Sequence, residues 1–363
     1  MPMLYEELGH AYSYNLCVSE AAAKNGWEFI GLIPKGVMIP GLPKHWKKIL
    51  ANNNWEEKKS FFQRMQKFIS NIFPLQKFFK EIKREESIFF LEHFTLLQVA
   101  ALAVALLLRP AKIQLWLLHR YHCRGLKSKL YCFFHGFFAF LLGKDNVKLL
   151  TDSELLAKDQ QVVFRKNVIV LPIPHGHLVT REKAKKNTDT FFFWWPGGST
   201  RAAKGLHEIQ TFAQQLKQKK HNVQLILADN LKELFGISSN YLYIPRVLQR
   251  EEYEKWMNAA EIVLLPYDPV VYQFGTSGIL VEAVIAGKMP FVRDGSWLAY
   301  ELKRFGLDEL IIDWTREDLL EHILAVHCNA TVQKKLAEMR TSYASFHSLE
   351  TYAAMLQNIK NRG

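Results

Sequence analysis

The sequence lacks most of the features that place a chain quickly. It has four cysteines in 363 residues, Cys17, Cys123, Cys132 and Cys328, scattered and without a Cys-x-x-Cys pair. That spacing fits reduced thiols of a cytosolic protein better than a disulfide framework or a zinc site. No apolar run reaches the ~20 residues of a membrane-spanning helix. The longest, "FTLLQVAALAVALLL" from Phe94 to Leu108, is about one turn short and follows Glu92 and His93 directly, so it reads as a buried core helix. The start, "MPMLYEELGH", shows no basic stretch leading into an apolar one, so export by a signal peptide is not expected. There is no Walker loop, no Gly-x-Ser-x-Gly elbow, no Gly-x-Gly-x-x-Gly after a strand, no internal repeat and no low-complexity tract. Acidic residues are also in deficit. Thirty-five Asp and Glu face 47 Lys and Arg, and the net charge of +12 favours a polyanionic partner: nucleic acid, an anionic membrane surface or phosphorylated substrates. Charge alone does not choose among them.

What is present is a globular chain, 49% hydrophobic and 23% charged, long enough for two domains. Its rhythm is a short apolar run, a turn, then a helical period. Candidate strands are "SIFFLEHF" (from Ser87), "IQLWLLH" (Ile113), "VKLLTD" (Val147), "VIVLPI" (Val168) and "TFFFWWPGG" (Thr190). After them come "VQLILAD" (Val223), "YLYIP" (Tyr241), "EIVLLPY" (Glu261), "MPFV" (Met289) and "LIID" (Leu310). Strands that are nearly continuous apolar runs and alternate with helices imply parallel sheets covered on both faces. Thr151 with Glu154 has capping-box spacing, and Thr315 is placed to start a helix near the end. The polar, basic stretch "HGHLVTREKAKKNTD" reads as a linker. The expected division is residues 1–176, a linker at 177–189, a second domain at 190–345, and a terminal helix at 346–363 that could cross back to the first domain.

The segment from Lys44 to Glu86 holds eleven Lys or Arg against five Glu, a surplus of six that is half of the whole. Phe61, Phe62, Met65, Phe68, Ile69 and Ile72 share one helical face, and after Pro74 the set Leu75, Phe78, Phe79 and Ile82 repeats the pattern. Lys77, Lys80, Lys83 and Arg84 surround the second set. Two readings fit: a pair of helices packed on the N-terminal sheet, or a surface that sits on anionic lipid headgroups.

The richest stretch is "YQFGTSGILVEAVIAGKMPFV", Tyr272 to Val292. The strand "EIVLLPY" leads through a loop to a helix starting near Ser277, and ligands of open α/β sheets collect at such carboxyl ends. The helix start carries free amides and the positive end of a dipole, so a diphosphate can bind there. Gly275 and Gly278 would permit close approach, Thr276 and Ser277 would add hydroxyls, and Glu282 lies one turn inside, leaning toward the start. A carboxylate so placed can accept from both hydroxyls of a ribose; a capped helix with one stray glutamate is the alternative. "WWPGGSTRAAKGLHEI", Trp194 to Ile209, adds a strand, a Gly-rich turn and two cations, Arg201 and Lys204. It is either a second anion site or a basic surface turn.

Together these motifs resemble the nucleotide-sugar-binding domain of GT-B-fold glycosyltransferases, closest to the retaining family-4, or group 1, type. The match rests on Gly197-Gly198 followed by Lys204-Gly205, on "EIVLLPYDP", and on "SGILVEAVIAGKMPFV" with Glu282 in the helix. It covers about Thr190 to Asp313; a looser match in "GHAYSYNLCVSEAAAKNGWEF", "TDSELLA" and "VLPIPH" extends it to an acceptor domain. The resemblance implies an α/β GT-B fold, two Rossmann-like domains with parallel sheets facing a cleft. It implies a hexosyltransferase-like enzyme that moves a sugar from a nucleoside-diphosphate sugar to an acceptor hydroxyl with retention, needing no metal and no other cofactor. Lys204, with Arg201, would neutralise the diphosphate; Gly198, Ser199, Gly275, Thr276, Ser277 and Gly278 would line it; Glu282 would hold the ribose. His119 would contact the transferred sugar, and Gly9, His10 and Arg120 would face the acceptor.

Three places depart from the family pattern. Phe274 stands where a second glutamate is usual, and Ser199 where an arginine is usual. Only "MPML" precedes the loop at Gly9-His10, which leaves almost no room for a first strand, so either the start is misplaced or the sheet edge is incomplete. His119 and His122 could also be two solvent-facing loop residues, and His175 and His177 belong to the domain junction. The expected acceptor is a glycan or lipid of the cell envelope, and the expected location cytoplasmic, peripheral on the inner face of the plasma membrane. Two other classes remain. A GT-B-fold nucleotide-sugar epimerase would bind the same donor, and a basic nucleic-acid-binding protein would use the charge directly, although no RNA or DNA module is recognisable.

Overall fold

The computed structural model describes residues 10–39, 41–51, 60–82, 87–174, 190–196, 202–218 and 222–362. The chain forms two compact units: Met1–Pro174 with Leu349–Gly363, and His175–Ser348. Among the described residues no helix is long and apolar enough to cross a membrane.

In the N-terminal unit, β3 (Ser87–Leu91), β4 (Ile113–Leu118), β5 (Val147–Thr151) and β6 (Val168–Val170) form a parallel sheet in that order. Alternate residues serve opposite faces, as the two-residue period of a strand requires. Ile113, Leu115 and Leu117 of β4 join a core under α2 (Phe61–Glu81), α3 (Leu96–Leu108) and α4 (Leu126–Leu142). Trp116 and Leu118 face α1 (His10–Lys24) and α13 (Leu349–Asn361), whose Tyr352, Ala353 and Leu356 are buried there. A separate parallel pair, β1 (Gly31–Pro34) with β2 (Trp46–Leu50), carries the chain between α1 and α2. Neither strand is evident in the sequence: "GLIP" is short and ends in proline, and β2 places Lys47 and Lys48 in solvent.

Several expected elements take another form. The basic segment gives one helix rather than two, since α2 runs through Pro74 and is capped at Ser60 by a capping box with Gln63. It buries Ile72, Leu75, Phe78 and Phe79, while Phe62 (78% exposed), Ile69 and Phe73 point away from the core with Lys77 and Lys80. Lys83 and Arg84 lie outside the described residues. The core helix expected at Phe94 to Leu108 is α3, with Val99, Ala101, Leu102, Ala105 and Leu106 buried and Leu97, Leu107 and Leu108 on its outer side. The cap of α5 (Glu154–Phe164) is Ser153 and not Thr151, because its hydroxyl accepts the Leu156 amide at 3.1 Å.

The C-terminal unit holds one parallel sheet in the order β11-β10-β7-β8-β9: β7 (Phe191–Trp194), β8 (Val223–Ala228), β9 (Tyr241–Ile244), β10 (Ile262–Leu265) and β11 (Met289–Val292). "LIID" is no full strand; Ile311 makes a single bridge to Val292 after a short 3-10 turn at Asp308–Leu310. Around the sheet stand α6 (Leu206–Gln218), α7 (Lys232–Phe235), α8 (Arg250–Ala259), α9 (Gly278–Ile285), α10 (Trp297–Arg304), α11 (Leu319–His327) and α12 (Ala330–Phe346). Helix α11 starts after Asp318, four residues beyond the expected region at Thr315, whose amide and hydroxyl bond Asp313 instead. The linker expected at 177–189 lies outside the described residues.

Candidate functional site

The strand order of the C-terminal unit fixes where a ligand can sit. From β7 the chain moves outward through β8 and β9, then returns to place β10 on the other side of β7. The order therefore reverses between β7 and β10, and the crevice outside their carboxyl ends is where open α/β sheets bind ligands. The two expected phosphate motifs follow these two strands. After β7 a 3-10 turn, Ala202–Lys204, is tied both to the end of β7, where the Trp195 indole donates to the Lys204 carbonyl at 3.1 Å, and to the segment after β10, where the Asp268 amide donates to the Ala203 carbonyl at 3.0 Å. Gly205 makes this junction possible. It has φ +81°, and a Cβ there would lie 2.3 Å from the Pro266 carbonyl oxygen.

Lys204 is thereby brought to the start of α9. Its ammonium lies 5.8 Å from the centre of the Tyr267 ring, and the buried Tyr267 hydroxyl is hydrogen-bonded to the Ser277 side chain. Burial, and then the neighbouring Tyr272, raise the Tyr267 pKa, so the phenol stays protonated. Ser277 caps α9, its oxygen accepting the Leu280 amide at 3.3 Å, so the hydroxyl expected to contact a ligand serves the helix itself. Gly275 and Gly278 take no left-handed conformation, and a Cβ on Gly275 would meet only ordinary contacts. Thr276 lies beside them in the same loop, ahead of the first turn of α9.

Glu282 is buried, and α8 holds it. Tyr253 donates to Oε2 at 2.5 Å and Arg250 Nη1 lies 3.3 Å from Oε1, while Arg250 Nε also bonds Glu254 at 2.7 Å. Burial, reinforced by the Glu282 charge, raises the Tyr253 pKa well above its ordinary value. The Tyr253 hydroxyl and the Arg250 guanidinium thus take one carboxylate oxygen each. The sequence pointed to Glu282 and missed its supports. Arg250, Tyr253 and Glu254 have i, i+3, i+4 spacing, which sets all three on one face of α8, and that is the only signal the sequence carried.

In the N-terminal unit the charged groups gather at the carboxyl ends of β3, β4 and β5. Arg120 lies 3.4 Å from Glu92 and 3.2 Å from Asp152, its guanidinium 4.2 Å from the Tyr14 ring centre. Asn15 donates to Glu92 at 2.8 Å, and the Tyr14 and Tyr352 hydroxyls are 2.9 Å apart. Burial opposes the Arg120 charge, but Tyr14, Glu92 and Asp152 outweigh it and raise the pKa. Two carboxylates around one arginine leave little cationic character, so the cluster at Arg120, expected to face the acceptor, suits neutral hydroxyls better than a phosphate. Glu92 and Asp152 were missed, though each closes an apolar run, in "FFLE" and "LLTD".

His119, expected to touch the transferred sugar, turns inward instead. It is 3% exposed, packed among Phe94, Tyr131 and Phe164, with Nε2 3.0 Å from Nε2 of His135. Burial lowers its pKa to about 3, so it is a neutral core residue. His122 pairs with Asp159 at 2.8 Å. His10 is the first residue of α1, while Gly9, His175, His177, Gly198, Ser199 and Arg201 lie outside the described residues. Among the described residues no group of three or more His, Cys, Asp or Glu could hold a metal ion.

No family model and no curated protein sequence matches the chain. Solved structures do. The fold is similar to sucrose-phosphate synthase from Thermosynechococcus elongatus, with TM-score 0.68 and 11% identity over 100% of this chain and 95% of that one. It is similar to WaaG, a glycosyltransferase involved in lipopolysaccharide biosynthesis, with TM-score 0.62 and 16% identity over 99% of both chains. A structure described as trehalose-6-phosphate from E. coli bound with UDP-2-fluoro glucose matches with TM-score 0.65 and 10% identity, over 99% of this chain and 98% of that one. The chain has the GT-B fold, and the likeness runs its whole length.

Proposed function

We propose that the protein is a glycosyltransferase that moves a sugar from a nucleoside-diphosphate sugar to an acceptor hydroxyl. One observation carries the reading: Lys204, Tyr267, the start of α9 and Glu282 converge where the strand order of the C-terminal unit reverses. The diphosphate lies against Lys204 and the first amides of α9, where the cation and the helix dipole stabilise charge that grows as the leaving group departs. The Glu282 carboxylate, oriented by Arg250 and Tyr253, takes the ribose hydroxyls. No metal is required, since these groups supply the electrostatic role a cation would play. The solved neighbour bound with UDP-2-fluoro glucose supports this class of donor.

The acceptor is carried by the N-terminal unit, its hydroxyls bonded by Glu92, Arg120, Asp152 and Asn15. Transfer proceeds with retention, the leaving phosphate assisting the acceptor hydroxyl. The acceptor is a glycan or lipid of the envelope, and the exposed Phe and Leu stripe of α2 to α4, rimmed by lysines, rests on an anionic membrane to reach it. The test is thermal stabilisation by a panel of nucleotide sugars, followed by product analysis with and without acceptors. A bound donor at a hundred times its dissociation constant adds roughly 2.7 kcal/mol. Lys204→Ala is expected to cut turnover strongly while chelators leave it unchanged. Conversion of a donor to its epimer without any acceptor would assign the epimerase activity instead, and no response to any nucleotide sugar would overturn the proposal.

A further inference from the structure

Strand β4 ends at Leu118, and the residues that follow take three different directions. His119 turns into the core, Arg120 enters the charged cluster, and Tyr121 turns outward, 53% exposed. An exposed aromatic side chain ordinarily moves freely; this one is held at its tip and at its root. Its hydroxyl lies 2.6 Å from Nε2 of His93, which follows β3, and the two rings are 5.3 Å apart at 53°. Its carbonyl accepts from the Gln160 side chain at 3.4 Å and from Cys123 Sγ at 3.6 Å. Burial, together with the charge of Arg120, lowers the His93 pKa to about 4, and burial raises that of Tyr121. At neutral pH the pair is therefore uncharged.

The held ring borders a polar floor. Strands β3, β4 and β5 are neighbours, so Glu92, Arg120 and Asp152, each just past its own strand, lie side by side, and the charges of all three are felt at Tyr121. Glu92 is 5% exposed; its Oε1 accepts from Asn15, while Oε2 faces Arg120 at 3.4 Å and receives no hydrogen bond. Two carboxylates against one guanidinium leave the floor negative, and like charge opposes a phosphate brought onto it. A hydroxyl suits it, because the same oxygen can donate to a carboxylate and accept from a guanidinium.

Water, a simple alcohol and a sugar all offer hydroxyls, and the ring decides among them. A pyranose carries hydroxyls around its rim and C–H bonds on its faces, and weakly positive C–H bonds pack on the negative face of an aromatic ring. A straight-chain alcohol can use the floor only at one point, and a phosphate is repelled by it. We propose that Tyr121 is the platform for the acceptor: a neutral pyranose lies with one C–H face on the exposed ring and its hydroxyls on Glu92 and Arg120. The inference rests on the proposed transfer reaction and narrows its acceptor from any hydroxyl to an unphosphorylated sugar ring. A ring fixed before the ligand arrives loses little freedom on binding, which is what the bonds from His93, Gln160 and Cys123 provide.

The test is saturation-transfer NMR on the full chain, with and without UDP. The probes are the methyl pyranosides of glucose, galactose, mannose and N-acetylglucosamine, run beside glucose-6-phosphate and octanol. At least one methyl pyranoside is expected to bind, with the strongest transfer to the C–H protons of one ring face. Tyr121→Ala is expected to weaken that binding about fivefold or more, the scale of a lost ring contact, and Tyr121→Phe less than about twofold, because the platform remains. Both variants should keep the thermal shift given by nucleotide, since Lys204 and Glu282 belong to the other unit. Binding of no pyranoside by a chain that nucleotide still stabilises would overturn the platform and leave the donor reading standing. Tighter binding of glucose-6-phosphate or octanol, or equal losses in Tyr121→Ala and Tyr121→Phe, would overturn it too. Pyranoside binding through Tyr121 in a chain that ignores every nucleotide sugar would support the platform and overturn the transfer reaction.

Discussion

Glu282 is buried in α9 with the Tyr253 hydroxyl on one carboxylate oxygen and the Arg250 guanidinium on the other. Glu282 stood out because a carboxylate inside an apolar helix start is costly unless used. That it is clamped by Tyr253 and Arg250 depends on α8 lying against α9, which no local spacing encodes. The clamp makes two roles separable. Glu282→Ala is expected to weaken nucleotide binding by about 1.5–3 kcal/mol and to lower stability by a similar amount, because it strands the buried Tyr253 hydroxyl. Tyr253→Phe should lower stability while leaving most of the nucleotide affinity. If both variants bind nucleotide as the wild type does, Glu282 is structural only. His119 shows the opposite case: its place after β4 was legible, its inward turn was not. In the folded state burial holds His119 at about 3 and His135 at about 2, the latter also opposed by His119 and Lys166. In the unfolded chain both ionise near the usual ~6.5. Below that pH the unfolded state binds more protons, so stability from the neutral pair is full above it and is lost as pH falls toward the folded values. Each histidine costs about 1.4 kcal/mol per pH unit in that window. Burial also lowers His93 to about 4, so urea titrations should show a steep loss between about pH 6 and 4, with the slope reduced by about a third in His135→Phe. An unchanged slope would mean that other groups control acid sensitivity.

At the scale of elements, legibility followed burial. Strands covered on both faces, such as "VQLILA" and "IVLL", are unbroken apolar runs and announce themselves. Strand β2, "WKKIL", sets two exposed lysines side by side between the buried Trp46 and Leu50, so it offers neither an unbroken apolar run nor a two-residue alternation. The helices of the N-terminal unit were legible on their inner faces only. Residues 62, 69 and 73 of α2 and 126, 133 and 140 of α4 are spaced to form outward stripes, and Phe62, Phe73, Phe133 and Phe140 are all exposed there. Helix α3 packs against both neighbours, and Lys77, Lys80, Lys127 and Lys129 are exposed along the same helices. Exposed apolar patches of this kind mark interaction surfaces. The protein is expected to float with anionic liposomes and not with zwitterionic ones, each cation adding about 1 kcal/mol that salt screens. Phe73→Ser with Phe133→Ser should abolish flotation at low salt with little loss of stability, since neither ring lies in the core. Flotation that survives both changes would place membrane contact elsewhere.

At the scale of the whole molecule, the chain leaves the N-terminal unit, builds the C-terminal one, and returns for a single helix. The return has a physical cost if it is undone. Tyr352, Ala353, Leu356 and Ile359 of α13 are all within 4% of complete burial, in one core with Val18, Trp116 and Leu150. Removing that helix exposes the apolar face of β4 and β5 and takes the Tyr352 hydroxyl from Tyr14 beside Arg120. Burial of a large apolar side chain contributes about 1.5–3 kcal/mol, so the loss approaches the whole stability of an ordinary domain. The sheet and the surrounding helices of the C-terminal unit all end by Ser348. Truncation after Ser348 is therefore expected to melt the N-terminal unit and leave a folded C-terminal unit. That remnant should still bind nucleotide, because Lys204, Tyr267, Ser277, Glu282 and their supports all lie inside it. Calorimetry with and without nucleotide would show one of two transitions lost and the survivor still shifted upward by ligand. A truncated chain that is folded throughout would deny α13 its place in the N-terminal core, and a folded remnant that ignores nucleotide would move the donor site out of the C-terminal unit.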